Sequence, residues 1–182
     1  MFNGASQAKI AESMFKHEMA LPRKFGDFVI DQEMLHEHWG EFLPHFEAQW
    51  HETENYLGVP YNPPIEFVLG GDALGTILAF TARKDGTLIG YLIIHLHPSP
   101  HVDDCTAATE YLTYVLPEYR KQGIGGELVN FAEGALIDKN ISGLYICTKT
   151  PVGKNKAGLD SVLKKNGYTH MINQYYKPLT GA

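Results

Sequence analysis

The segment from Tyr114 to Leu136, YVLPEYRKQGIGGELVNFAEGAL, constrains the fold more than any other stretch of the chain. Gly123, Gly125 and Gly126 stand between a strand-like stretch and a stretch with helical spacing of apolar residues. A helix begins with unpaired backbone N–H groups and the positive end of its dipole, which together form a seat for phosphate. Glycines at that point let a ligand approach the backbone without a Cβ in the way. The segment therefore predicts a strand, an anion-binding loop and a helix, and a packed turn is the simpler alternative.

Composition is that of an ordinary globular protein. Of the 182 residues, 44% are hydrophobic and 20% charged, which is enough to bury the core of one domain. The net charge of -6 argues against a general binder of nucleic acid or of anionic membranes. The apolar runs are strand-sized, and the N-terminus lacks the apolar stretch of a signal peptide. With only Cys105 and Cys147 and no disulfide framework, we expect a soluble protein of the cytoplasm.

The second half of the chain alternates between strand-like and helix-like segments. The stretch GTILAFTARKDGTLIGYLIIHLHP predicts two strands around KDG, a hairpin turn signal. Because strands and helices alternate only partially, the sheet is expected to be mixed. The predicted strands lie within residues 75–98 (two strands), 107–117, 143–151 and 168–179, and the predicted helices lie at 125–140 and 157–168, the latter ended by Gly167.

The first third of the chain is interpreted as helical. Residues 4–20 and 31–56 carry apolar residues near helical spacing. Asp31 is the predicted N-cap of the second helix, and Pro44 is predicted to end or kink it. The proline-rich stretch GVPYNPPIE, residues 58–66, is interpreted as a connector to the second half.

Known phosphate-loop patterns narrow the choice of ligand. The Walker pattern G-x-x-x-x-G-K-[ST] is absent, and the dinucleotide fingerprint would need a glycine where Leu128 stands. The remaining stretch, VLPEYRKQGIGGEL, resembles the acetyl-CoA site of the GNAT N-acetyltransferase superfamily. The element order and the Gly167–Tyr168 pair after the last helix also resemble that family, over roughly residues 75–178. The fuller pattern, FTARKDGTLIGYLIIHLHP with the upstream LPHFEAQWHE, is similar to the GNATs found in bacteriophage genomes.

The resemblance implies an α/β (α+β) fold, with a mixed, mostly antiparallel central sheet and helices on both faces. Residues 1–182 would form a single domain, in which the helical N-terminal segment, residues 1–65, lines the acceptor site and residues 75–178 form the acetyl-CoA-binding core. The implied activity is transfer of an acetyl group from acetyl-CoA to a primary amine of a small molecule or protein, without a metal. The resemblance leaves room for a homodimer, and a phage-encoded protein would act in the host cytoplasm.

The same resemblance assigns the donor site. The pyrophosphate would bind the amides of residues 122–126, and the pantetheine arm would lie between the strand ending at Val115 and the strand GLYICTKT. A backbone N–H near Val115 or Leu116 would polarise the thioester carbonyl. Lys149, Lys154 and Lys156 would meet the 3′-phosphate or form a solvated loop. The implied cofactor-binding residues are Val115, Leu116, Arg120, Lys121, Gln122, Gly123, Ile124, Gly125, Gly126 and Asn155.

Proton transfer needs further groups, because the attacking amine must lose a proton. Glu110, in TEYLTYV, is the first candidate base, and a shift of one residue in the match would place Thr109 there instead. A strand carboxylate that faces solvent is the simpler interpretation. His97 is a candidate proton relay, and Tyr111 is a candidate acid because Leu163 stands where many family members carry a tyrosine. Further tyrosines near the site are Tyr114, Tyr175 and Tyr176.

Three other interpretations stay open. The stretch HLHPSPH and the aspartates after it could hold zinc, but the first two histidines alternate on a strand and no partner ligands recur elsewhere. Lining of the acceptor pocket, or a polar surface loop, is therefore preferred for His95, His97, His101, Asp103 and Asp104. Cys105 and Cys147 are interpreted as packing residues rather than nucleophiles. The alternative function is a GNAT-like module that binds CoA or a protein without turnover, since the usual tyrosine is missing at Leu163.

Overall fold

The chain forms one central sheet with helices on both faces. The structure is a computed structural model, and it describes residues 19–53, 60–99, 102–103, 105–139, 141–147 and 159–171. Its elements are β1 (Arg23–Phe25), β2 (Phe28–Glu33), α1 (Leu35–Thr53), α2 (Ile65–Ala73), β3 (Ile77–Lys84), β4 (Thr87–Pro98), β5 (Thr106–Val115), a 3₁₀ turn (Pro117–Tyr119), α3 (Ile124–Asp138), β6 (Leu144–Tyr145) and α4 (Leu159–Lys165).

The sheet has the order β1-β2-β3-β4-β5-β6. Neighbouring strands from β1 to β5 are antiparallel, whereas β5 and β6 pair in parallel. Apolar residues of α1 and α2, such as Phe42 and Val68, pack on Tyr91 at one face. Leu128 of α3 and Leu163 of α4 belong to the core of the opposite face. The predicted mixed, mostly antiparallel sheet with helices on both faces is confirmed.

The hairpin between β3 and β4 turns where the sequence predicts. Asp85 and Gly86 both have positive φ, at 50° and 82°, as a two-residue turn of the right hand for a hairpin requires. A Cβ on Gly86 would meet no atom within 4 Å, so the glycine is needed for its backbone angle rather than for space. Local turn chemistry therefore sets the register of β3 and β4.

Residues 23–33 form a β-hairpin, so the N-terminal third is not helical throughout, and the helix predicted over residues 31–56 begins only at Leu35. In β2, Phe28, Ile30 and Gln32 are buried while Val29 is exposed, which is the alternation of a strand with one covered face. Asp31 lies inside this strand opposite Thr81 and is not a helix N-cap. The predicted helix at 4–20 lies, apart from its last two residues, outside the described residues.

Helix α1 passes through Pro44 and ends only at Thr53. The backbone leaves helical angles at His38 (φ -120°, ψ 16°), so the kink lies before the proline rather than at it. In a helix, a proline ring is directed at the carbonyl of the residue four positions earlier, which for Pro44 is Gly40. The prediction that Pro44 ends the helix is therefore wrong, and the alternative prediction of a kinked run is closer to the structure.

The N-terminus of α1 is capped by a side chain from α2. Asp72 is 2% exposed, and its carboxylate accepts the backbone N–H groups of Leu35 and His36, each at 3.0 Å. It also accepts the Nδ1–H of His36 at 2.7 Å. Because these N–H groups have no partner within their own helix, the carboxylate satisfies them and fixes α1 against α2.

Helix α4 ends as predicted. Gly167 has φ 85°, its N–H donates to the Lys164 carbonyl at 3.2 Å, and the Tyr168 N–H donates to the Leu163 carbonyl at 3.0 Å. This pair of bonds is the Schellman motif, which favours glycine at the left-handed position. The predicted last strand is not seen in residues 168–171, and the rest of it lies outside the described residues.

Candidate active site

The glycine loop leads from β5 through a 3₁₀ turn into α3. Lys121 and Gly123 have positive φ, at 65° and 84°, and Gly123 is the N-cap of the helix. The Glu127 N–H returns to the Gly123 carbonyl at 3.1 Å, so the amides of residues 124–126 lie at the open end of the helix. We call this helix end, with its unpaired amides and the positive end of the helix dipole, the anion seat, and its use by a phosphate stays a prediction.

Two glycines of the loop serve different purposes. Gly123 needs its backbone angle, and a Cβ there would lie 3.5 Å from the Phe25 ring. A Cβ on Gly125 would meet nothing within 4 Å, so this position leaves open space before the helix end. Ile124 is buried in the core, so only its backbone faces the seat, while Lys121 and Gln122 are exposed beside it.

Arg120 is held by protein groups in this structure. Its Nη1 and Nη2 donate to the two carboxylate oxygens of Glu52 at 2.7 and 2.6 Å, and its Nε donates to the Val115 carbonyl at 2.9 Å. The guanidinium also lies 5.3 Å from the centre of the Tyr114 ring. The structure therefore joins Arg120 to the last turn of α1, a contact that the sequence prediction of a phosphate ligand did not include.

Helix α1 is tied to β5 a second time, at Gln49. The Tyr91 hydroxyl donates to Gln49 Oε1 at 2.6 Å, and Gln49 Nε2 donates to the Thr113 carbonyl at 3.2 Å. Gln49 is 3% exposed and Tyr91 is fully buried, so this polar link lies within the core. Together with Glu52 it fixes the C-terminal half of α1 beside the strand that leads to the loop.

The β1–β2 hairpin supports the loop from the other side. Arg23 donates to Glu127 Oε2, in the first turn of α3, at 2.7 Å. The rings of Phe28 and Tyr119 meet edge to face at 6.4 Å, and Phe25 lies next to Gly123. Sequence reasoning missed these residues, although the alternating pattern of 28–32 was a signal that could have found them.

A β-bulge lies in β5 next to the only parallel pair of the described sheet. Ile93 pairs with Leu112 and Ile94 with Glu110, so Tyr111 is the inserted residue. On the other side, β5 and β6 pair at Ala108↔Leu144 and Thr109↔Tyr145. The Cys147 N–H donates to the Glu110 carboxylate at 3.1 Å. The described backbone pairing of the two strands therefore ends next to the bulge, where the sequence predicts the pantetheine arm.

Glu110 does not lie with the other two predicted catalytic residues. It is 7% exposed, and its partner Ile94 belongs to the core under α3, so its side chain starts on that face of the sheet. His97 and Tyr111 lie on the face of α2. The base role of Glu110 stays a prediction, and the structure adds that its carboxylate holds β6.

A cluster of five side chains occupies the α2 face beside the bulge. Phe67 of α2 meets the rings of His95 and Tyr111 at 5.7 and 6.1 Å, and the rings of His95 and His97 are 5.9 Å apart. His97 Nε2 lies 2.8 Å from Thr109 Oγ1. We call these residues, Phe67, His95, His97, Thr109 and Tyr111, the histidine cluster. It brings together two of the predicted catalytic residues, His97 and Tyr111.

Burial in this cluster changes the titration of one histidine. Desolvation of the ring, and then the nearby His97, lower the pKa of His95 from its usual 6.5. Desolvation likewise lowers the pKa of His45, in α1. Below pH 6.5 the unfolded chain then binds more protons at these sites than the folded protein does.

The free energy of unfolding should therefore fall as the pH is lowered from about 7.5 to 5.5, across the usual pKa of histidine. It should level off once the folded protein also takes up these protons. Denaturant unfolding at each pH measures the effect, and His95→Phe and His45→Phe should each make the decline shallower. A decline of unchanged steepness in both variants would assign it to other groups.

The remaining predicted residues divide into those with known surroundings and those outside the described ranges. The Leu116 N–H donates to the Ile89 carbonyl at 2.9 Å, so the predicted oxyanion donor at this position is already used by the sheet. Leu163 is buried in the core. Within the described ranges, no three His, Cys, Asp or Glu side chains gather as a metal site would require. The residues that lie outside the description are His101, Asp104, Lys149, Lys154, Asn155, Lys156, Tyr175 and Tyr176.

Comparison with known families identifies the family of the chain. The family described as Acetyltransferase (GNAT) family matches residues 32–157. The chain belongs to this GNAT acetyltransferase family. The match includes β5, the glycine loop and α3, so the segment from Tyr114 to Leu136 lies within the family's own pattern.

Solved structures show the same fold at low sequence identity. A ribosomal-protein-alanine N-acetyltransferase from Brucella melitensis biovar Abortus 2308 superposes with a TM-score of 0.63 at 19% identity, over 85% of this chain and 99% of that one. The aminoglycoside N-acetyltransferase AAC(6')-Iy in complex with CoA gives a TM-score of 0.60 at 18% identity, over 88% and 100%. An aminoglycoside acetyltransferase from an uncultured soil metagenomic sample gives 0.62 at 14%, over 85% and 97%.

Two further findings concern curated relatives and membrane-spanning helices. The sequence matches none of the curated proteins with which it was compared. No helix among the described residues is long and apolar enough to cross a membrane. The narrower resemblance to bacteriophage members of the family stays a prediction.

Proposed function

We propose that the protein transfers an acetyl group from acetyl-CoA to a primary amine. The observation that carries the proposal is the anion seat at the start of α3, with the amides of residues 124–126 at an open helix end and clear space at Gly125. The GNAT family match covers this segment. A neighbour of the same fold is described in complex with CoA, which supports the choice of donor.

The donor would lie along β5. Its pyrophosphate would bind the loop amides, with Lys121 and Gln122 exposed beside them. The pantetheine arm would follow the gap between β5 and β6. The Val115 carbonyl and the Leu116 N–H already have partners, so the Val115 N–H would be the donor that polarises the thioester carbonyl.

The acceptor would approach from the α2 face, where the histidine cluster lies beside the bulge. Neutral amine attacks the thioester carbonyl, the C–S bond breaks, and the thiolate of CoA leaves. The Tyr111 hydroxyl is the candidate to protonate that thiolate, because Leu163 belongs to the core. Neighbours of the same fold are described as N-acetyltransferases of alanine in a ribosomal protein and of aminoglycosides, so an amine acceptor fits, and the net charge of -6 suits a cationic one.

Acetyl-CoA should raise the melting temperature of the protein, and Gly125→Glu should abolish that rise. A ligand at a hundred times its Kd adds about 2.7 kcal/mol to the free energy of unfolding, or about 5–10 °C for a domain of this size. The new carboxylate would stand in the anion seat and repel the pyrophosphate. Near a helix N-terminus it is otherwise favourable, so the variant should fold without ligand.

Gly134→Glu is the matched control. Gly134 lies in the same helix, is exposed, and would have no atom within 4 Å of a new Cβ. This variant should keep the full rise with acetyl-CoA. An equal rise in both variants would contradict the placement of the pyrophosphate.

Turnover is tested by the release of free thiol from acetyl-CoA with an alanine-terminated peptide, spermidine or sisomicin as acceptor. Release that depends on the amine supports the transferase. Binding of acetyl-CoA without release with any amine would favour the alternative, a GNAT-like module that binds CoA without turnover, for which Leu163 is the supporting residue.

A further inference from the structure

The hydrogen bonds of His97 fix how its two ring nitrogens are protonated. Nδ1 lies 3.1 Å from the Pro98 carbonyl oxygen, and Nε2 lies 2.8 Å from Thr109 Oγ1. A carbonyl oxygen can only accept, so Nδ1 must carry the proton. In the neutral ring Nε2 is then an acceptor, and the Thr109 hydroxyl must donate to it.

This orientation leaves the lone pairs of the Thr109 hydroxyl oxygen able to accept a hydrogen bond. A threonine hydroxyl has one donor and two lone pairs, and the donor is used by His97. The oxygen can therefore accept an N–H from a molecule bound beside it while its own proton points at an imidazole. A hydroxyl held in this way by a histidine is the arrangement that proton transfer requires.

Thr109 lies at the point where the two parallel strands separate. It forms the last described pair between β5 and β6, opposite Tyr145, and it precedes the bulged Tyr111 by two residues. On the other side its partner in β4 is His95, so its side chain lies on the α2 face with the histidine cluster. The hydroxyl thus stands between the proposed path of the acyl donor and the side from which an acceptor would come.

We propose that Thr109 and His97 form the proton relay that deprotonates the acceptor amine, with Thr109 as the group that touches the substrate. The inference rests on the proposed acetyl transfer and names residues for its proton path. It replaces the predicted base, Glu110, whose carboxylate holds the Cys147 N–H and starts on the opposite face of the sheet.

The step balances without any further reactant. The amine nitrogen forms a bond to the acyl carbon, and the C–S bond breaks with its electron pair leaving on sulfur. One N–H proton passes to Thr109 Oγ1 while the Thr109 proton passes to His97 Nε2. The resulting imidazolium is held by the Pro98 carbonyl and is partly exposed, so it returns the proton to water. The thiolate takes its proton from the Tyr111 hydroxyl, which is protonated again from water.

The second histidine supports this path. His95 lies 5.9 Å from His97, and burial together with His97 lowers its pKa, so it stays neutral at neutral pH. The proton therefore passes to His97, the ring that lies 2.8 Å from the Thr109 hydroxyl. A positive charge on both rings would be unfavourable at this separation.

Thr109→Val tests the relay, because valine keeps the shape of the side chain and removes the hydroxyl. We expect kcat for thiol release with the best amine of the panel to fall roughly 10²-fold or more, the range for loss of acid–base catalysis. The Kd for acetyl-CoA should stay at the parent value, since Thr109 lies away from the loop. Thr109→Ser should restore most of kcat because it restores the hydroxyl.

Thr113→Val is the matched control in the same strand. The Thr113 hydroxyl is buried without a hydrogen-bond partner among the described residues, and its register partner Leu92 lies in the core under α3. Losing that hydroxyl should leave kcat unchanged. Equal kcat in Thr109→Val and Thr113→Val would overturn the relay while leaving the proposed function intact.

The protonation of the two His97 ring nitrogens can be measured in the absence of any enzymatic turnover. In ¹⁵N-labelled protein at neutral pH, the His97 ring, assigned by its loss in His97→Gln, should show a protonated Nδ1 and an unprotonated Nε2. A ring protonated at Nε2 alone could not accept from Thr109, and this result would overturn the relay. Absence of thiol release in the parent would instead contradict the proposed function, with the relay still decided by the nitrogen signals.

Discussion

Arg120→Ala should weaken acetyl-CoA binding by roughly 10- to 100-fold, even though the guanidinium is turned toward protein groups. Arg120 opens the glycine loop, and its donors hold Glu52 and the Val115 carbonyl. Loss of charge-assisted hydrogen bonds of this kind costs about 1–3 kcal/mol, and each 1.4 kcal/mol is about tenfold in affinity. We call these hydrogen bonds of Arg120 its anchor. Without the anchor, the loop amides would become ordered only when the ligand binds, and the cost of that ordering would lower the affinity.

An effect of Arg120 through its bond to Glu52 can be distinguished from direct contact of Arg120 with phosphate. If Arg120 acts through its anchor, Glu52→Gln should also weaken acetyl-CoA, and the double variant should bind no worse than Arg120→Ala alone. Calorimetric titration of the four proteins measures the coupling. If Glu52→Gln binds as well as the parent or better, Arg120 acts on the phosphate directly and the anchor is not the cause.

Dephospho-CoA supplies a second comparison. The loss in Arg120→Ala should persist with this ligand, because the anchor positions the loop under the pyrophosphate. A loss that disappears with dephospho-CoA would assign Arg120 to the 3′-phosphate instead.

The features that the sequence predicted are those fixed by nearby residues. The turn at Asp85 and Gly86 and the helix end at Gly167 each depend on a glycine whose backbone angle is required within a few residues. The buried side of α3 follows from the spacing of apolar residues alone. Such signals are local, and they were enough to predict the loop and the order of the second half.

What the sequence did not predict depends on residues that are distant in the chain. Glu52 and Arg120 are separated by 68 positions, and Asp72 and Leu35 by 37. A short hairpin such as β1–β2 gains its stability from pairing with β3, so its own pattern is weak. The glycine loop before α3 could therefore be predicted from the sequence, whereas the partner of Arg120 and the Thr109–His97 pair required the fold.

One missed contact is expected to have the largest effect on stability. Asp72→Ala should lower the free energy of unfolding by about 2–3 kcal/mol, since it removes a helix cap and leaves partly buried N–H groups of Leu35 and His36 unsatisfied. For a domain of this size the melting temperature should fall by about 5–10 °C. Asp72→Asn keeps one carbonyl oxygen as an acceptor, so its free energy of unfolding should lie between those of the parent and of Asp72→Ala.

Asp31→Ala is the control that separates the structure from the sequence interpretation. Asp31 was the predicted N-cap, but it lies in β2, where its carboxylate accepts the N–H of its own neighbour Gln32 at 2.8 Å. Burial also raises the pKa of Asp31, which indicates that its charged form gains little from the fold. Its replacement should therefore cost far less than that of Asp72, as measured by denaturant unfolding at neutral pH. If Asp31→Ala proved the more damaging change, α1 would begin at the residue that the sequence predicted, and the cap from α2 would be wrong.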